Sequence, residues 1–280
     1  MHREGTKTMK PVITVQNMRE SDAYTIREFV PSKELMYRAA MGVYLATEWK
    51  GTIGILVGAG NNGGDGYALA CILADRGIPS TIYRVSEKFS EDGKYYYDMA
   101  MEKGVQIEMF RETTDLSGYD ILVDCMLGTG FSGEVRGLYR AAIEGMNKSG
   151  AYTICVDINS GMNGDTGLGD LVVKADLTVT IGFLKTGFFL GDSYRHTDKL
   201  VVTDIGIKLL TEEYWLCGQA PWNLSNALEL PGDLLPEEAK AQAWEKGSIV
   251  CIPGKTPLVT DGQKVCFIGE EPETILSLGE

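Results

Sequence analysis

Short apolar runs rich in β-branched residues recur from about residue 50 to residue 207, at 53–57, 80–85, 105–109, 121–123, 152–156, 177–181 and 200–202. Between them lie patterns of helical length at 66–76, 91–103 and 137–148. The first of these closes on Gly77 and then Pro79, a stop signal for a helix. The runs are nearly continuous in apolar residues (Ile55-Leu56-Val57, Ile121-Leu122-Val123), as in strands covered on both faces. Strands alternating with helices require crossover connections. The pattern therefore predicts an α/β fold with a mostly parallel sheet in a three-layer α/β/α arrangement.

Two helices are expected ahead of the sheet. Ser21 is placed to cap one that runs to Phe29, and Ser32 another that runs to about Glu48. The second carries a stripe of Leu35, Met36, Ala39, Ala40, Val43 and Tyr44, the pattern of a core face or a dimer face. After Leu210 the chain becomes irregular, punctuated by Trp215, Pro221, Trp222 and Pro231. A short helix is expected at 236–246. A β-hairpin is expected to join 249–252 to 264–268 through Thr260-Asp261-Gly262. The chain thus divides into residues 1–210, the α/β domain, and residues 211–280, a C-terminal extension with no visible chemical constellation.

Composition narrows the function. A chain of 280 residues with 44% hydrophobic content is globular, and its length suits one large domain with an appendage. With 26 Lys+Arg against 39 Asp+Glu the net charge is −13, which argues against a general nucleic-acid binder. No stretch approaches the roughly 18 apolar residues of a membrane span. The charged segment Met1–Lys10 lacks the apolar core of a signal peptide. Six cysteines without a CxxC and only two histidines assemble no zinc cluster, so a reducing cytoplasm is expected. The scarcity of His leaves acid–base work to carboxylates or lysine.

The candidate chemistry gathers at strand ends. After the strand at 53–57 comes Gly58-Ala59-Gly60-Asn61-Asn62-Gly63-Gly64-Asp65-Gly66. Its glycines allow a tight turn and a close approach of backbone N–H groups to an anion. Read as G-x-G-x-x-G, with Glu87 beyond the next strand, it makes the fold Rossmann-like and suggests a dinucleotide-dependent oxidoreductase. Two consecutive amides and the Asp65 carboxylate do not suit a pyrophosphate turn, and weigh against that activity. Asp124 leads into the small-residue loop Gly128-Thr129-Gly130-Phe131-Ser132-Gly133-Glu134, Asp157 leads into Asn159-Ser160-Gly161, and Lys185 follows the strand at 177–181. In an open parallel sheet ligands bind beyond the carboxyl ends of the strands. These loops therefore point to one shared site. Its two strand-end aspartates could pair to ready one for proton transfer, or one could join amide and hydroxyl oxygens around a hard cation.

On these residues the chain resembles the NAD(P)H-hydrate epimerase family, the YjeF N-terminal domain. The resemblance spans about residues 12–208. It takes in Met18-Arg19 with Asp22, Gly60–Gly66, Asp124 with Gly128–Gly130, Asp157 with Ser160-Gly161, and Lys185-Thr186-Gly187. It implies interconversion of the R and S forms of hydrated NADH and NADPH, which carry a hydroxyl at C6 of the reduced nicotinamide. It implies action alongside a separate dehydratase that accepts the S form, and often a homodimer. Substrate contacts would fall on Asn61, Asn62, Gly63, Gly64 and Asp65, on Gly128, Thr129, Gly130, Phe131, Ser132, Gly133 and Glu134, and on Asp157. One potassium ion per subunit would be held by Asn62, Asp124 and Ser160. Asp157 is the expected acid–base group, and Lys185 would tune it or hold phosphate. Two positions depart from the family: Asn159 stands where proline is usual, and Thr186 interrupts the usual Lys-Pro-Gly. Loss of a proline is expected to loosen a loop. A non-catalytic nucleotide-binding scaffold and the oxidoreductase remain the alternatives.

Overall fold

Continuous apolar runs become the inner strands of the sheet, where both faces are covered and alternation serves no purpose. The computed structural model describes residues 9–277. Of the charged segment Met1–Lys10 only its last two residues are among them, and His2 lies outside the described residues. In chain order the elements are β1 (Met9–Ile13), α1 (Val15–Glu28), α2 (Ser32–Leu45), β2 (Ile53–Val57), α3 (Asn61–Asp75), β3 (Thr81–Arg84) and α4 (Glu91–Glu102). Next come β4 (Gln106–Met109), β5 (Ile121–Cys125), α5 (Gly137–Ser149), β6 (Tyr152–Val156), β7 (Ala175–Ile181), β8 (Leu184–Lys185) and β9 (Thr197–Asp204). The last third holds β10 (Tyr214–Cys217), β11 (Leu228–Glu229), α6 (Pro236–Lys246), β12 (Val250–Ile252), β13 (Leu258–Thr260), β14 (Val265–Ile268) and β15 (Glu273–Leu276).

The main sheet has eight strands in the order β15-β9-β7-β6-β5-β2-β3-β4. Every neighbouring pair is parallel. On one face Ile53, Ile55 and Val57 of β2 pack with Leu69, Ile72 and Leu73 of α3 and with α2 and α4. On the other, Leu56, Leu122 and Cys155 pack with Ala142, Ile143 and Met146 of α5. The three-layer α/β expectation holds. No helix among the described residues is long and apolar enough to cross a membrane.

Helix starts differ from the expectation. Thr14, not Ser21, caps α1, its hydroxyl accepting from Asn17 N–H at 3.2 Å. Ser21 is fully buried in mid-helix and tied to the chain 189 residues on, accepting from Leu210 N–H. Pro31 precedes α2 as its cap residue, leaving Ser32 as the first helical residue. The stripe Leu35, Met36, Ala39, Ala40 and Val43 is buried within the chain against α3 and the sheet, so it offers no free dimer face.

A second sheet runs β11-β12-β13-β14-β10-β1-β8. The expected hairpin is a three-stranded meander, because β12 and β14 each pair with β13 and not with each other. Three residues of β13 are too short a run to read from pattern. The turn into β14 is built as expected: Asp261 Oδ1 accepts from Gln263 and Lys264 N–H at 2.8 Å, and Gly262 takes φ +87°. This sheet draws β1 and β8 from before residue 210, and β15 returns to pair with β9 at the edge of the main sheet.

Candidate active site

The loops after β2, β5 and β6, the end of β7 and one side of α1 and α2 enclose a cleft of about 660 Å³. Among the sequence-predicted residues, Asn61, Asn62, Asp65, Gly128, Thr129, Gly130, Phe131, Ser132 and Asp157 line it. The expected helix from Gly66 starts earlier, at Asn61, so the amide-glycine run is the first turn of α3. That places Gly63 and Gly64 inside packing contacts instead of on the cleft wall. A Cβ on Gly64 would sit 2.5 Å from Met36 Cε, which makes Gly64 the point where α3 meets α2. Gly133 and Glu134 also lie off the wall, with exposed Glu134 paired to Arg136 at 3.0 Å. Sequence reasoning gave no role to Arg19 and Asp22 of α1, which do line the cleft. The signal was present, since Met18 and Asp22 lie one turn apart and share a helix face.

Asp157, directly after β6, takes the left-handed region at φ +66°, the one such non-glycine among the described residues. This conformation is strained for most side chains and tolerated best by Asp and Asn, and such strain concentrates at functional positions. Its carboxylate Oδ1 accepts from Ile181 N–H at 3.1 Å and from the Lys185 ammonium. The Asp157 side chain keeps 17% of its surface exposed towards the cleft, whereas Lys185 has none. Lys185 Nζ donates also to Thr180 Oγ1 at 2.9 Å and to Ile181 O at 2.8 Å. An ammonium has three donors, and all three are engaged. Lys185 therefore serves Asp157 from behind, and the phosphate-holding alternative is withdrawn.

Two further carboxyls face the same space. Burial pushes the Asp65 carboxyl well above its ordinary range, and the charges of Asp157, Asp22 and Asp92 push the same way against Lys185. Burial and the Asp157 charge also raise Asp22. An acid whose carboxyl is raised by burial, beside a lysine-paired carboxylate, is the arrangement from which donor and acceptor roles arise.

Asp124, fully buried at the end of β5, accepts from Ser160 Oγ at 2.6 Å, Ser160 N–H at 2.8 Å and Met126 N–H at 3.1 Å. Burial still raises its carboxyl, outweighing those hydrogen bonds. Ser160 Oγ accepts from Leu127 N–H at 2.8 Å, and Asn62 Nδ2 donates to Leu127 O at 3.1 Å. Ser160 and Asn62 thus meet at the Leu127 backbone, and Ser160 links that point to Asp124. Asn62 Oδ1, buried beside them, has no hydrogen-bond partner, and no ion pair of the described residues neutralises Asp124. An orphaned amide oxygen and an unpaired buried carboxylate are what a cation would satisfy. The donors are amide, hydroxyl, carbonyl and a single carboxylate oxygen, which fits a hard ion of low charge.

The family described as YjeF-related protein N-terminus matches residues 32–187. The chain belongs to this family. It is 35% identical over 216 residues to the NAD(P)H-hydrate epimerase of Rhodopirellula baltica, covering 72% of this chain and 88% of that one. The NAD(P)H-hydrate epimerase of Lentilactobacillus buchneri is 34% identical, over 71% of this chain and 96% of its own. The bifunctional NAD(P)H-hydrate repair enzyme Nnr of Coxiella burnetii is 30% identical over 85% of this chain but only 50% of that protein. The crystal structure of yeast ynu0 superposes with a TM-score of 0.60 at 19% identity, over 71% of this chain and 95% of that one, a likeness of fold alone.

Asn159, where the resemblance implied a proline, is fully buried and anchors its loop by hydrogen bonds. Its Nδ2 donates to Val173 O at 2.9 Å and His196 O at 2.8 Å. Its Oδ1 accepts from Thr178 Oγ1 at 2.9 Å and Thr197 Oγ1 at 3.1 Å. All four bonds an amide can make are made. The expected loosening of the loop between Asp157 and Ser160 is therefore replaced by a hydrogen-bonded clamp.

Proposed function

We propose that this protein interconverts the R and S epimers of hydrated NADH and NADPH, an isomerase activity in the repair of damaged cofactor. The observation that carries the reading is Asp157, strained, lysine-paired and open to the cleft. C6 of the substrate bears both the ring nitrogen and the hydroxyl, so its configuration is lost without breaking a carbon–carbon bond. In this reading Asp65, whose carboxyl burial raises, gives its proton to the departing hydroxyl. The C6–O bond breaks as the ring-nitrogen lone pair forms the iminium, and water adds to the opposite face. The Asp157 carboxylate takes the proton that this water releases. The reverse direction exchanges the two roles, as reversibility demands.

Asn62, Asp124, Ser160 and the Leu127 carbonyl are proposed to hold one potassium ion per subunit. When bound, the ion supplies positive charge beside Asp124 and holds the loop after β5 against α3. A homodimer through the N-terminal helices is proposed on their outer face, where Phe29, Tyr37 and Leu45 are exposed. Six free thiols suit the reducing cytoplasm, and a separate dehydratase acting on the S epimer would complete the repair. The deciding experiment mixes the protein with a single epimer of hydrated NADH and follows formation of the other by chromatography. Interconversion no faster than the spontaneous rate would reject the reading.

A further inference from the structure

Four carboxyl side chains line the cleft (Asp22, Asp65, Asp92 and Asp157), and one lining residue, Arg19, carries a permanent positive charge. The substrate class on which the reading above rests is a dinucleotide with at least two anionic phosphate groups. Entering an acidic cleft in a chain of net charge −13, it needs a local cation. Lys185 cannot supply it, because its ammonium is buried and fully engaged.

Arg19 stands differently. It is exposed, and none of the hydrogen bonds or ion pairs of the described residues engages its guanidinium. It lies over the loop after β5: a Cβ on Gly130 would come 3.2 Å from Arg19 Nη2 and within 4 Å of nothing else. Gly130 does not have positive φ; it lies in the turn that Phe131 N–H closes onto Gly128 O at 3.0 Å, and that turn carries the loop under the Arg19 guanidinium. A Cβ on the next glycine back, Gly128, would come 3.3 Å from Asn62 Cβ. The loop is thus held between Arg19 of α1 and the first turn of α3. That helix start has no side-chain cap, and its leading amides have no partner within the helix. Thr129 and Ser132 add hydroxyls on the same wall.

We propose that Arg19 is the anion anchor of this cleft, receiving phosphate oxygens of the dinucleotide between its guanidinium, the 128–132 loop and the amino end of α3. A planar guanidinium matches phosphate through two parallel N–H donors, a geometry that lysine does not reproduce.

The test compares wild type with Arg19→Gln and Arg19→Lys in two assays. One measures kcat and KM for hydrated NADH and hydrated NADPH, and the other measures ADP-ribose binding by calorimetry. For Arg19→Gln we expect KM to rise about 10- to 100-fold while kcat falls by less than threefold, as for a charged hydrogen bond lost from ground state and transition state alike. ADP-ribose affinity should fall in parallel, Arg19→Lys should recover part of both, and the rise of KM with salt expected of wild type should flatten in Arg19→Gln. An equal rise for both substrates assigns the pyrophosphate, and a rise confined to hydrated NADPH assigns its ribose phosphate. Unchanged KM and unchanged ADP-ribose affinity in Arg19→Gln would overturn the anchor. If wild type binds ADP-ribose through Arg19 yet fails to epimerise, the anchor stands and the epimerase reading falls.

Discussion

Lys185 donates to Asp157 from a position with no solvent exposure, 28 residues further along the chain. The pair joins the end of β6 to β8, and its remaining donors join Lys185 to the end of β7. A cation in that place holds the carboxylate in orientation and leaves its open side to the cleft.

Asp157→Asn keeps a side chain that tolerates the left-handed backbone while removing the group that moves the proton. Its epimerisation rate should fall by about 10²–10⁴ while substrate still binds, as measured by single-epimer kinetics and equilibrium binding. Near-wild-type kcat would reduce Asp157 to a positioning role.

Lys185→Met removes one member of a buried pair and should destabilise the chain by about 3 kcal/mol or more. Denaturant unfolding of this variant, of Asp157→Asn and of the double variant forms a cycle. A double variant much less destabilised than the sum of the singles is expected. Strict additivity would show that the pair is not coupled.

Asn159→Leu leaves two carbonyls and two threonine hydroxyls without their amide partner, each worth about 1–3 kcal/mol when buried unpaired. The melting temperature should drop sharply. Asn159→Pro, the residue that the family resemblance implied here, should not recover it, because a proline ring supplies none of the four bonds. A wild-type melting temperature in Asn159→Pro would show that the clamp adds nothing.

Asp65 gives a pH signature whose sign follows from its raised folded-state pKa. Its contribution to stability is fully present below the unfolded value near 3.8. It is lost as the pH rises through the folded-state value, where the buried group must ionise beside Asp157, Asp22 and Asp92. Asp65→Asn should therefore melt higher than wild type at pH 8, by about 3 °C for each kcal/mol relieved in a chain of this size. The gap should close towards pH 4 while epimerisation is impaired throughout. A lower melting temperature for Asp65→Asn at pH 8 would contradict the assignment.

Potassium should raise the melting temperature of the wild type, by about 2.7 kcal/mol of stabilisation at one hundred times its dissociation constant, and lithium should not. Asn62→Ala, which removes the orphaned oxygen, should abolish the difference between the two ions. Equal responses to both ions in the wild type would remove the cation site.

Much of this was legible in the chain itself. The inner strands were readable because burial on both faces demands unbroken apolar runs. Asn61, Asn62, Asp124, Asp157 and Ser160 were readable because they sit directly after those runs. What pattern could not reach was short or distant. The three residues of β13 and the two of β8 carry no period, and β1 pairs with β10 across some two hundred residues. The start of α3 was misplaced because Asn-Asn-Gly-Gly-Asp reads as a loop by propensity, yet its glycines let the helix pack directly on α2 and the β2 turn.

The sequence by itself determined the α/β class, the edge of the sheet that carries chemistry, and which side chains stand at that edge. These follow from local order along the chain, since strand alternation and strand ends are properties of neighbouring residues. Only the tertiary structure decided what those side chains do. It buried Lys185 behind Asp157, raised Asp65 by burying it and setting three other carboxyls near it, left Asn62 Oδ1 without a partner, and laid Arg19 across Gly130. Desolvation and charge coupling are sums over neighbours in space, and at this site the neighbours come from α1, α3, α4, β6 and β8.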